Sequence, residues 1–362
     1  MKILLLGEYS NVHATLAEGL RKLGHEVTVI SNGDFWKNYP RDIDVARMPG
    51  KLGGIMLMAK LYALLPKMRG YDVVQLINPV FFELKAERLF WFYRYLRKHN
   101  KRVFLGAYGM DYYWVHTCTY DKPLRYSDFN FGDEVRTDAE AIGYQSDWLG
   151  TAKEQLNKMI AKDCDGIIAG LYEYWVCYNP VFPNKTRFIP FPIHLPESCN
   201  TERVDDSKVV IFIGINRERS AYKGTDIMLQ AAKDVLEKYP DRMKLNIAES
   251  VPFAEYHQMM NGSDAILDQL YAYTPSMNSL LAMSKEIICI GGGEPENYEI
   301  IDEAELRPII NVKPTYESVY HELEQLILHP ERIPELKRQS VEYVRKHHDY
   351  IKIAQQYADL FS

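Results

Sequence analysis

The segment Gly214-Ile215-Asn216-Arg217-Glu218-Arg219-Ser220-Ala221-Tyr222-Lys223-Gly224-Thr225-Asp226 follows an apolar run and opens a helical pattern. Arg217, Arg219 and Lys223 therefore sit at the electropositive end of a helix, where backbone N–H groups also lack partners. Cations at such a place bind anions, and a diphosphate suits them best. Gly214 and Asn216 join them by position. The same residues also read as a solvated basic loop, and composition leaves both readings open. A second segment, Asp268 to Met283, also leaves a strand and enters a helix. Thr274 is expected to cap it, with Pro275 at the first helical position. Asp268, Thr274, Ser276 and Asn278 then cluster near a second helix N-terminus, as an ordinary capped helix would also have them. Gly291-Gly292-Gly293-Glu294-Pro295-Glu296-Asn297 follows a further buried strand. Its glycines let the backbone approach a phosphate or sugar, and Glu294 and Glu296 offer carboxylates.

Other chemistry-bearing residues lie in the first half. His13 stands at the start of the first helix; a lone histidine there more often serves structure than catalysis. Asp111 follows Gly109-Met110 in a turn and reads equally as a ligand-facing or a turn aspartate. The stretch Tyr108 to Tyr126 is aromatic-rich. Aromatic faces stack on sugars, although a loop packed on its own domain looks the same. Leu52 to Leu61 is apolar on most faces, and Leu89 to Lys98 mixes aromatic with basic residues. Both have the make-up of membrane-interface segments, so a peripheral membrane association is kept as a partner reading. Core helices share this make-up and are the preferred reading.

These residues need a scaffold, and the chain alternates strand with helix. Lys2–Leu6, Val27–Ile30, Asp72–Ile77, Arg102–Leu105 and Gly166–Ala169 read as strands buried on both faces. Helical patterns cover Val12 to Leu23 and about 83–98 and 148–162. Leu195 to Ser207 is polar and aperiodic, a linker. The alternation restarts with strands at Val209–Ile215, Ala265–Leu267, Ile287–Ile290 and Pro308–Val312. Helices are expected over Thr225–Glu237 and Pro275–Met283, and along about 330–360. Such alternation specifies parallel sheets covered by helices. The expected domains are 1–195, joined by a C-terminal helix over about 342–362, and 196–341. Ligands of such sheets bind beyond the carboxyl ends of the strands, which points to the loops after Leu6, Leu105, Ile215 and Asp268.

Composition excludes several classes. The chain has 362 residues, 47% hydrophobic and 25% charged, as expected for a folded globular protein. Lys plus Arg is 43 against 49 Asp plus Glu, a net charge of −6, so the excess of a general nucleic-acid binder is missing. The five cysteines, Cys118, Cys164, Cys177, Cys199 and Cys289, show no CxxC spacing. A zinc site or disulfide framework is not expected, and a reducing, cytoplasmic compartment is. No run of about 18 apolar residues occurs. No GxGxxG follows a predicted strand, which disfavours a dinucleotide oxidoreductase.

Taken in order, the motifs resemble those of the retaining GT-B glycosyltransferases of family 4. Arg217 to Asp226 looks like the family's GR…KG-x-D motif. Asp264 to Met283, with Lys285 to Ile290, looks like its aDv-x-x-x-Q…EAMA-x-GkPVi region. Tyr71-Asp72-Val73-Val74-Gln75, Gly109-Met110-Asp111 and Ile189-Pro190-Phe191-Pro192-Ile193 resemble smaller family signatures. The resemblance implies an α/β GT-B architecture, two Rossmann-like doubly wound domains facing a central cleft. It implies transfer of a sugar from a nucleotide-diphosphate donor to a hydroxyl of a glycan or lipid-linked glycan, with retention. Arg217 and Lys223 would neutralise the leaving diphosphate. Gly214, Asn216, Arg219, Asp268, Thr274, Ser276, Asn278, Glu294 and Glu296 would line the donor. Tyr9, Ser10, Asn11, His13 and Asp111 would face the acceptor. No metal and no cofactor beyond the nucleotide-sugar co-substrate is expected, nor any nucleic-acid partner; a membrane-attached form would sit at the inner face.

The chain departs from the pattern at Leu281, where the family's second E-x7-E glutamate would fall. Leucine accepts no hydrogen bond from a ribose, and Glu294 or Glu296 is the nearest substitute in sequence. Thr274-Pro275-Ser276-Met277 stands in place of a Gly-rich stretch, and Lys285-Glu286 replaces a turn glycine. The alternatives are a non-catalytic nucleotide-sugar-binding relative and another GT-B enzyme such as a nucleotide-sugar epimerase.

Overall fold

A computed structural model of the chain describes every residue except Lys51, 197–207, 216–219, Ser250 and Pro252. The strands, in chain order, are β1 (Lys2–Leu6), β2 (Glu26–Ser31), β3 (Ile43–Asp44), β4 (Val73–Leu76), β5 (Arg102–Ala107), β6 (Asn130–Phe131), β7 (Glu134–Val135), β8 (Gly166–Ala169), β9 (Thr186–Phe188), β10 (Val209–Ile215), β11 (Met243–Glu249), β12 (Ala265–Leu267), β13 (Ile288–Gly291) and β14 (Ile310–Asn311). The chain divides into two compact units. Unit 1 comprises Met1–Pro123, Gly143–Pro192 and Tyr350–Ser362; unit 2 comprises Leu124–Ile142 and Ile193–Asp349.

Unit 1 holds a sheet of order β3-β2-β1-β4-β5-β8-β9, parallel throughout. Strand order reverses at β1/β4, the point where doubly wound sheets open a crevice. Ile3, Leu4, Leu5 and Leu6 are fully buried, as a central parallel strand must be. The helix Val12–Lys22 packs on the C-terminal helix Tyr350–Phe361. A Cβ added at Gly19 would lie 2.5 Å from the Tyr350 carbonyl oxygen, so only glycine permits this approach. The expected terminal helix is in fact two, Ile333–His347 in unit 2 and Tyr350–Phe361 in unit 1.

Unit 2 holds a parallel sheet of order β11-β10-β12-β13-β14, reversing at β10/β12. Ile211 and Ile213 enter one core with Met228 and Leu323, while Phe212 enters the other with Ile266 and Ala282. This alternation along β10 buries both faces of the strand. Residues 124–142, read from sequence as part of the first domain, cluster with unit 2 and carry the small antiparallel pair β6–β7. Cys118, Cys164, Cys177 and Cys289 are free and buried. Among the described residues no helix is long and apolar enough to cross a membrane.

Candidate functional site

In unit 2 the Ser220–Gly224 turn and the segments after β12 and β13 meet at the carboxyl end of the sheet. Asn216, Arg217 and Arg219 lie outside the described residues. Lys223 ends the short helix Ser220–Lys223, and its carbonyl accepts the Leu270 N–H at 3.0 Å. Gly224 follows with φ +70°, and a Cβ there would come within 2.6 Å of the Leu270 side chain. The Lys223-Gly224 turn is therefore wedged against the loop after β12, and glycine is what the turn requires. The helix Thr225–Lys238 starts immediately after it.

Gly214, near the end of β10, is overlaid by Tyr256, whose ring would lie 2.4 Å from an added Cβ. Tyr256 also accepts the Asn278 side-chain N–H at 2.8 Å. Asn278 donates in turn to Asp268 Oδ1 at 3.2 Å. Ser276 Oγ reaches Asp268 Oδ2 at 2.9 Å, and Ser279 Oγ donates to the same oxygen. Asp268 thus gathers three side chains from the first turn of one helix. This shifts the expected helix start. The helix is Met277–Ser284 with Ser276 at the N-cap position. Thr274, expected as the cap, is instead buried. The Ser276 hydroxyl goes to Asp268, so the helix begins where its first turn can reach that carboxylate.

Leu281 is half-buried, between the fully buried Leu280 and Ala282. The turn that follows needs a left-handed residue, and Glu286 supplies it at φ 62°.

Glu294 and Glu296 are both held inside unit 2. Glu294 Oε1 accepts the Tyr126 hydroxyl at 2.6 Å and Oε2 accepts Arg125 at 2.8 Å. Arg125 also grips Glu296 bidentately, at 2.5 and 3.0 Å. Its guanidinium lies 4.9 Å over the Tyr273 ring, and its backbone N–H donates to the Tyr273 hydroxyl at 2.7 Å. This clamp lowers the pKa of Glu296. Arg136, buried in the same 124–142 segment, stacks 4.4 Å from the Tyr271 ring and pairs with Asp138 at 2.9 Å. Sequence reading missed Arg125, Tyr126 and Arg136, because nothing local to the 124–142 segment marks its return to unit 2, and Tyr256, which lies on the helix Phe253–Met260 outside the motifs. The only trace was the aromatic richness ending at Tyr126.

In unit 1 the predicted residues sit at the carboxyl ends of β1 and β5. Tyr9 lies over Gly109, where an added Cβ would be 3.1 Å from its ring. Burial and the neighbouring Asp34 and Asp111 carboxylates push its phenol up. The Ser10 N–H donates to Asp34 at 2.8 Å, and Lys37 pairs with the same carboxylate at 2.6 Å. Asn11 is left-handed at the helix start, φ 72°, and makes no cap bond. Glu8 takes over that task, accepting the His13 and Ala14 N–H groups at 3.2 and 2.8 Å. Burial pushes the Glu8 carboxyl up to about 8 against those two bonds.

His13 is fully buried, with Nδ1 2.9 Å from the Gly7 carbonyl oxygen. Burial pulls it down to about 3, so it is neutral near pH 7. Asp111 is also fully buried and caps the helix Tyr112–His116 through the Trp114 N–H at 2.9 Å. Its other oxygen accepts the Tyr178 hydroxyl at 2.8 Å. Burial raises it to about 7. It stands as a structural cap in this arrangement. Of the aromatic stretch, Tyr108, Tyr112, Tyr113, Trp114 and Tyr126 are buried, and only Tyr120 is exposed. That stretch packs as core. Glu8 and Asp34 were missed in the sequence, since only the fold sets them beside the first helix. Among the described residues no group of three His, Cys, Asp or Glu side chains is placed to hold a metal ion.

No protein-family model matches the chain, and no curated protein matches it by sequence. Its structure does have solved counterparts. Sucrose-phosphate synthase from Thermosynechococcus elongatus superposes with a TM-score of 0.63 at 14% identity, covering 100% of this chain and 98% of that one. HepE from Anabaena, in complex with UDP-glucose, gives 0.62 at 12% identity over 99% of both chains. A putative UDP-N-acetylglucosamine 2-epimerase from Listeria monocytogenes gives 0.55 at 11%, covering 99% of this chain and 94% of that one. At such identities the likeness is one of fold, and the fold is GT-B: two Rossmann-like α/β units in one chain.

Proposed function

We propose that the chain is a glycosyltransferase that takes a sugar from a nucleotide-diphosphate donor. The acceptor would be a hydroxyl of a glycan or lipid-linked glycan, with retention, as the family-4 resemblance implies. The observation that carries the reading is the end-to-end match to the HepE fold, which holds UDP-glucose. The chain's own residues support it. Lys223 immediately precedes Gly224 and the helix Thr225–Lys238, beside the β10/β12 switch point, where open α/β sheets take their ligands. With Arg217 it would neutralise the leaving diphosphate, an electrostatic task that dispenses with a metal. Asp268 orders the Ser276, Asn278 and Ser279 turn, which would present donor-facing polar groups. Tyr9, Ser10 and Asn11 would meet the acceptor. His13, neutral and buried behind them, would set the loop's shape.

A thermal-shift screen with UDP, UDP-glucose and other nucleotide sugars tests this, since a ligand of the folded form raises stability in step with its concentration over Kd. The expected result is an upward shift with UDP or a UDP-sugar; no shift with any nucleotide diphosphate sugar overturns the reading. Leu281, together with the engagement of Glu294 and Glu296 by Arg125, favours a second reading, a binding protein without turnover. Donor binding without hydrolysis or transfer across an acceptor panel selects that reading. A new sugar nucleotide formed without acceptor selects an epimerase.

A further inference from the structure

The helix Gly53–Leu64 in unit 1 is apolar almost throughout, with Lys60 its only charge. A helix of that kind is normally covered on every side. This one buries only Gly53, Leu57 and Leu61. Leu52, Ile55 and Met56 stand 69%, 66% and 52% exposed, and Ala59, Tyr62 and Ala63 extend the open face. Met48, exposed as well, abuts the helix start, where its carbonyl oxygen contacts Gly53. At the other end the Tyr62 ring lies 5.2 Å from Trp91 of the helix Ala86–His99. Trp91 is exposed too and stacks on Tyr95. The result is one continuous apolar strip ending in Tyr and Trp.

Charge decides what covers it. Residues 45–100 carry ten Lys or Arg against three Asp or Glu, within a chain of net charge −6. Arg47, Lys60, Arg88, Arg94 and Lys98 are exposed. A second copy docked by a two-fold axis would set this basic rim against itself. Protein interfaces enrich Arg but deplete Lys, and Lys60 lies on the apolar helix itself. A lipid surface wants the pattern seen: apolar side chains at acyl depth, Trp and Tyr at the headgroups, and Lys and Arg over anionic phosphates. We propose that this face of unit 1 docks on an anionic lipid bilayer, with the helix Gly53–Leu64 lying flat in the interface. The proposal does not depend on the sugar-transfer reading and needs no donor.

Flotation of the full chain with vesicles tests it. The vesicles are phosphatidylcholine alone or with about a third phosphatidylglycerol. Binding to the anionic vesicles, weakened by salt and nearly absent with phosphatidylcholine alone, is expected. Ile55→Asp with Met56→Asp should lower partitioning at least about tenfold, because two exposed side chains lose their acyl burial. Lys60→Glu with Arg94→Glu, both on exposed positions, should lower it and remove the salt dependence. All variants should keep the wild-type melting temperature. No binding to anionic vesicles overturns the proposal, as does binding that neither variant pair changes. A dimer in sedimentation that Ile55→Asp with Met56→Asp dissociates also overturns it, by making a second copy the occupant.

Discussion

Replacing Arg125 with methionine keeps the aliphatic stem and removes the fork that holds both carboxylates of the glycine-rich loop. The Glu296 end of the clamp is open: the side chains are 55% and 21% exposed. An ion pair that exposed contributes about 0–1 kcal/mol. The Glu294 end differs, because its side chain is only 10% exposed. Without Arg125, Glu294 Oε2 loses its donor while Oε1 keeps the Tyr126 hydroxyl. A buried acceptor left without a partner costs about 1–3 kcal/mol. The cation over Tyr273 adds about 0.5–1 kcal/mol at such a half-exposed site. The expected loss for Arg125→Met is therefore about 1.5–5 kcal/mol, read from urea denaturation followed by far-ultraviolet circular dichroism. In a double-mutant cycle, Glu294→Gln should recover part of that loss, with a coupling of about 1–2 kcal/mol. Additive effects, or a loss below about 0.5 kcal/mol, would show that the clamp holds nothing and that Glu294 is satisfied without Arg125.

Three further outcomes are expected. Lys223→Ala should weaken UDP binding by at least about tenfold in titration calorimetry, since a charge-assisted contact is worth about 1.5–3 kcal/mol; unchanged affinity would remove Lys223 from the phosphate site. Glu8, raised from 4.5 to about 8 by burial, keeps its proton in the folded state over a range where the unfolded chain has lost it. Its stabilisation is complete below the unfolded pKa and is lost as pH rises through about 8, at up to about 1.4 kcal/mol per pH unit. Glu8→Gln should flatten the fall in unfolding free energy between those limits, and parallel profiles for the two proteins would refute the assignment. Transfer activity should persist in EDTA if Arg217 and Lys223 carry the diphosphate; loss restored by Mg²⁺ would assign that task to a metal.

Local pattern was enough for the α/β class and for most strands. β1 and β10 are read to the residue, because a parallel strand buried on both faces is an apolar run, as Ile3–Leu6 and Val209–Ile213 are. β11 escaped because it is an edge strand with a mixed burial pattern. That Ser276 and Asn278 sit beside one another was legible, since they lie on one turn of chain; Asp268, immediately after β12, meets them only in the fold. Nor was their bonding legible: that Ser276 serves Asp268 rather than its own helix end is a matter of where β12 leaves the sheet. Residues far apart in sequence were decided by tertiary structure alone. Only the return of 124–142 to unit 2 sets Arg125 against Glu294 and Glu296. Burial is likewise a property of the assembled fold, and it pulls His13 down and pushes Asp111 up. Periodicity reports which face of an element is apolar, but not what covers that face. That is why the helix Gly53–Leu64, core-like by its residues, proves to be open on its outer side.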